Sequence, residues 1–61
     1  MDEITSRMAE AQQAEESGNY REAARLYNRL GKEIQARHGR FDPRALDAFE
    51  GMARSIGMGS A

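Results

Sequence analysis

Chemistry needs a nucleophile, a base or a ligand set held at a working spacing, and this chain offers little of either. His38 is the single histidine, and there is no cysteine. Thiolate metal sites and disulfides are therefore closed to it. Ser17, Ser55 and Ser60 have no base at helical spacing to activate them. Glu15 and Glu16 are adjacent, so on a helix they diverge instead of converging on a substrate. His38 stands directly before Gly39 at a helix end, where an imidazole complements the helix dipole. These residues predict no enzymatic activity, no cofactor and no metal centre.

Arginine carries the strongest remaining pattern. Arg21, Arg25 and Arg29 recur at i, i+4 and i+8, and Arg37, Arg40 and Arg44 gather around the following turn. Such a stripe can grip phosphate or an acidic peptide. It can also be a solvated face answering acids elsewhere in the chain. Residues 1–19 sum to −4, residues 20–44 to +4 and the remainder to −1, for a net charge of −1. Nucleic-acid binding calls for a net basic domain, which this is not. The structural reading is favoured, and anion or nucleic-acid binding through the six arginines stands as the alternative. An acidic first segment beside a basic second one also favours their antiparallel pairing, each exposed pair contributing only ~0–1 kcal/mol.

The elements that position these residues are helices. Asp2 is an N-cap candidate with Glu3 behind it, and Ile4, Met8, Ala11 and Ala14 fall on one face, predicting a helix over 3–16. Ser17-Gly18 stops it, glycine reaching the left-handed conformation needed past a helix end. Asn19 and Glu22 then read as a capping box opening a helix over 20–37. Its stripe is Tyr20, Ala23, Ala24, Tyr27, Leu30 and Ile34, with Leu26 off centre. Gly31 breaks the pattern and marks either a tolerated irregularity or the close approach of another backbone. Asp42-Pro43 opens a third helix over 43–56, with Ala45, Leu46, Phe49, Met52, Ala53 and Ile56 at helical spacing. Gly51 lies opposite most of that stripe. Residues 58–61 have no periodicity and are expected to be a disordered tail.

Stop and restart at Gly18-Asn19 forces an antiparallel hairpin. The expected fold is all-α: a helical hairpin plus a third helix, in a single domain over 1–57. A chain of 61 residues buries only ~60% of its unfolded surface, so oligomerisation or docking becomes its natural source of extra stability. No apolar run approaches a membrane span, and Met1-Asp2-Glu3 is not a signal peptide, so a cytoplasmic location is expected.

The run Gly18-Asn19-Tyr20-Arg21-Glu22-Ala23, followed by Tyr27 and Leu30, resembles the turn and second helix of a tetratricopeptide repeat. Phe49, Met52, Ala53 and Ile56 resemble the opening of a following repeat. The 42 residues from Ala11 to Ala53 are similar to the longer, kinesin-light-chain type of repeat rather than the form of about 34 residues. The resemblance covers residues 4–57. Arg7 and Glu10 stand where that family favours large apolar residues, which implies a sparsely packed first helix. The same G-N-Y-x-E-A-x-x-x-Y run also resembles the microtubule-interacting-and-trafficking domain, a short three-helix bundle.

The first resemblance implies a protein or peptide partner, held in the groove of the first helices. Carried over by position, the groove candidates are Thr5, Met8, Gln12, Glu15, Asp47, Glu50 and Arg54. A helix that such an array would lay on the third helix is not in this sequence. Self-association as a homodimer, or docking to a larger protein, is therefore expected through Leu26, Phe41, Phe49, Met52 and Ile56.

Overall fold

The structure, a computed structural model, describes residues 2–59. Three helices follow one another: α1, Glu3–Glu16; α2, Tyr20–His38; and α3, Pro43–Gly59. The fold is all-α, with α1 and α2 forming an antiparallel hairpin and α3 returning along α2. α2 packs along both neighbours, whereas α1 and α3 meet only narrowly.

The hairpin follows from local chemistry. Asp2 caps α1, its carboxylate accepting from the Thr5 N–H at 2.8 Å. Past Glu16, Gly18 takes φ +81°, and the N–H groups of Gly18 and Asn19 donate back to the Glu15 and Ala14 carbonyls at 3.0 and 2.9 Å. This paired bonding with a left-handed glycine closes a helix and satisfies its last carbonyls. The expected capping box does not form. The Asn19 N–H is already donated to Ala14, so Glu22 has no backbone donor to reach. Glu22 instead accepts from Arg25 one turn ahead, at 2.6–3.0 Å. The Asn19 side chain makes no capping bond.

The core is built from α2 outward. Ala11, Ala23, Tyr27 and Ala48 form one buried cluster, supported by Met8, Ala14, Leu26 and Met52. Leu30, Ile34 and Ala45 form another, supported by Ile4, Met8 and Phe49. Ala11 is the single fully buried residue of α1. Arg7 pairs with Glu33 across the hairpin.

The buried arc of α3 is rotated from the expected stripe. Ala45, Ala48, Gly51 and Ser55 are buried, Phe49 and Met52 are half-buried, and Ala53 is exposed; Leu46 and Ile56 are 60% and 53% exposed. The cause is close approach. A Cβ placed on Gly51 would lie 2.7 Å from the Tyr27 ring, so Gly51 faces the core and not solvent. Reciprocally, a Cβ on Gly31 would lie 2.8 Å from the Phe49 ring. The partner that approaches Gly31 is thus an aromatic ring, not a backbone.

α3 also runs past its expected end. Gly57 keeps a negative φ with open space around it, so nothing there turns the chain. Two residues on, Gly59 lies against Tyr20: a Cβ placed on Gly59 would stand 3.2 Å from the Tyr20 Cβ. Met58 and Gly59 are therefore helical; the rest of the expected tail, Ser60 and Ala61, lies outside the described residues.

Candidate docking site

Asp42 and Pro43 start α3 by fixing its first turn. The Asp42 carboxylate accepts from the Arg44 N–H at 2.8 Å and from its guanidinium at 2.9 and 3.0 Å. These bonds hold the carboxylate at about 2, well below its ordinary 3.8. The linker between α2 and α3 is thereby tied close to the helix, and it leaves Phe41 standing 91% exposed. Beside it a hollow of 160 Å³ is lined by Gln35, Arg40, Phe41, Asp42, Leu46 and Phe49. Beneath, the Phe49 ring rests on Gly31. A protruding aromatic ring and an apolar hollow thus lie side by side at the start of α3.

The self-association candidates divide. Phe41 and Phe49 share this surface, and Ile56 is exposed farther along α3. Leu26 and Met52 pack against the core cluster around Tyr27, and Leu26 opens toward the α1 side, beside Arg7 and Glu10. Leu46 is a residue that sequence reasoning assigned to the core and the structure assigns to the surface. Its position at one edge of the apolar arc was the available signal.

The groove candidates divide as well. Thr5, Met8 and Gln12 line a hollow of 290 Å³ together with Ile4, Ala9 and Arg44. Glu15 and Arg54 meet each other, Nη2 donating to Oε1 at 2.9 Å, while the Tyr27 hydroxyl donates to the same carboxylate at 3.0 Å. The hydrogen bond from Arg54 lowers the Glu15 pKa, and burial raises that of Tyr27. This cluster ties all three helices together. Asp47 and Glu50 are exposed and stand apart from both features.

The arginine stripe is largely engaged within the chain. Arg25 is held by Glu22 at 2.6 Å, Arg29 approaches Glu33 and Arg37 approaches Glu3 at 3.9 Å, and Arg44 is held by Asp42. Arg21 and Arg40 have no acidic partner among the described residues. His38 borders a cavity of only 10 Å³, too small for a substrate. Among the described residues no three His, Cys, Asp or Glu side chains gather as a metal site. No described helix is long and apolar enough to cross a membrane.

No family model, curated protein or solved structure matches this chain. The geometry of its own surface therefore carries the functional reading.

Proposed function

We propose that the chain is a non-enzymatic helical interaction module, docking through the Phe41–Leu46–Phe49 surface onto a second copy of itself or a helix of a partner protein. One observation carries this reading. Phe41 is 91% exposed and Leu46 60% exposed, and both border the same hollow. Burying a large apolar side chain contributes ~1.5–3 kcal/mol, against which the lost freedom of the associating chains must be set. A chain this small has few other sources of stability. Tetratricopeptide-like architecture belongs to the same proposal, supported by the Gly18 hairpin and by the hollow at Thr5, Met8 and Gln12, where such a module would take a peptide. A cytoplasmic setting completes the proposal.

Sedimentation from micromolar to millimolar concentration tests the proposal. Association is expected in the wild type and is expected to weaken in Phe41→Asp and Leu46→Asp. Both positions are exposed, so far-UV circular dichroism of the two variants should match the parent. Association unaffected by either change would place the docking face elsewhere.

A further inference from the structure

The surface around Phe41 holds both halves of a contact. The Phe41 ring is 91% exposed, so it borders its own hollow without filling it. That hollow measures 160 Å³, and an apolar cavity of about 150 Å³ accommodates one benzene ring. Knob and hole thus match in size and stand on one patch of one chain. The knob is also held in place. The Gln35 side-chain amide donates to the Arg40 carbonyl at 3.3 Å, and the Asp42 N–H donates to the Gly39 carbonyl at 3.3 Å. The turn that carries Phe41 is therefore braced on either side of the ring, which lowers the ordering cost of docking it.

Charge completes the complementarity. Arg40 lines the hollow, and Asp42, the acid beside it, is already held by Arg44. Glu50 follows Leu46 by one helical turn, is exposed, and lies on the same outer face of α3. Neither Arg40 nor Glu50 has an ion-pair partner among the described residues. A foreign side chain in the hollow would leave the Phe41 ring and both charges needing further, separate counterparts. A second copy on a two-fold axis supplies all of them, because an isologous contact brings each feature to its counterpart twice.

Resting on the docking reading above, we infer that the partner is a second copy of this chain, in a two-fold dimer. Each Phe41 ring enters the other copy's hollow, against Leu46 and Phe49, and each Arg40 pairs with Glu50 of the other copy.

Charge reversal tests the register, by sedimentation equilibrium on the full chain at low ionic strength. Arg40→Glu and Glu50→Arg each turn two attractive pairs per dimer into repulsive ones. Each alone should weaken association about tenfold. An equimolar mixture of the two should regain the parent's association, because each variant then meets the opposite charge at both contacts. Both positions are exposed, and circular dichroism checks that each variant keeps its helices. Isotope-filtered NMR on a mixture of labelled and unlabelled parent should give contacts from the Phe41 ring of one copy to Leu46 and Phe49 of the other. A mixture that associates no better than either variant alone overturns the two-fold pairing. Absence of intermolecular contacts from Phe41 overturns the insertion. If Phe41→Asp and Leu46→Asp still weaken association in either case, the docking surface stands and only its two-fold register falls. A parent that stays monomeric overturns the inference and its basis together.

Discussion

The two sides of α2 are packed by different means. Toward α3 it presents Gly31 and the Tyr27 ring, and it receives the Phe49 ring and Gly51 in return. Each ring fills the space where the facing helix has no side chain, so the two helices fit in one register. Toward α1 the contact is made by Ile4, Met8, Ala11 and Ala14, flanked by charge. Ala11 is fully buried, and a chain of alternating charges, Arg37, Glu3, Arg7, Glu33 and Arg29, crosses the hairpin. Ring-on-glycine packing is directional and fails when a single methyl group is added. Half-exposed ion pairs adjust to small displacements and contribute little each. The α2–α3 seam therefore fixes its register more sharply than the α1–α2 seam does.

The largest break in that contrast is Tyr27→Ala. The substitution removes the ring over Gly51 and the hydroxyl that meets Glu15. Loss of a buried aromatic costs ~3–5 kcal/mol. The whole stability expected of 61 residues is roughly 3–9 kcal/mol, so thermal denaturation should show a melting temperature lowered by about 12–40 °C.

Glycine substitutions sharpen the comparison at smaller scale. Gly51→Ala and Gly31→Ala drive a methyl group into an aromatic ring, and overpacking of this kind costs about 1–3 kcal/mol. Gly57 has open space around it, and there the same change should stabilise by ~0.5–1 kcal/mol through helix propensity. A lower melting temperature for the first two and a higher one for the third, in one set of thermal melts, is the expected outcome. Equal behaviour of all three would mean that the rings do not set the register.

Acid should act next. The Glu15 pKa is lowered, chiefly by the Arg54 hydrogen bond. A carboxylate with a depressed folded pKa stabilises the fold above its ordinary value, and that contribution is lost as pH falls through the folded value. Asp42, held at about 2 against an ordinary 3.8, behaves likewise between those two values. Stability should therefore decline on acidification below about pH 4, a Glu carboxyl ordinarily titrating near there. Glu15→Gln should be less stable than the parent at neutral pH, with a smaller further loss in acid. Equal pH profiles for parent and variant would take Glu15 out of the helix-tying cluster.

The smallest effect belongs to the α1 side. Arg7→Gln should cost only ~0–1 kcal/mol, and added salt should diminish the difference. Melting curves at low and high ionic strength measure it.

The hairpin was legible in the sequence because its cause is local. Gly18 needs only its own backbone to end α1, and the glycine with the residue after it closes the turn. The orientation of α3 was not legible, because hydrophobicity was read as burial. Close approach decided it instead, and close approach selects small residues: Ala48, Gly51 and Ser55 went inside while Leu46 and Ile56 stayed out. Of the residues expected at a self-association face, Phe41 is exposed, Phe49 turns its ring onto Gly31, and Leu26 and Met52 were claimed by the Tyr27 cluster. Thr5, Met8 and Gln12 kept one face because helical spacing alone brings them together. The meeting of Glu15 with Arg54 depended on the relative placement of α1 and α3, which no local pattern encodes.

The most direct measurement of the proposed role is sedimentation equilibrium on the parent chain beside Leu46→Asp, taken from micromolar to millimolar concentration and paired with thermal melts at each end of that range. The proposal predicts association and a melting temperature that rises with concentration in the parent, both diminished in Leu46→Asp while helicity is retained. A parent that stays monomeric throughout, with a high melting temperature independent of concentration, would contradict it.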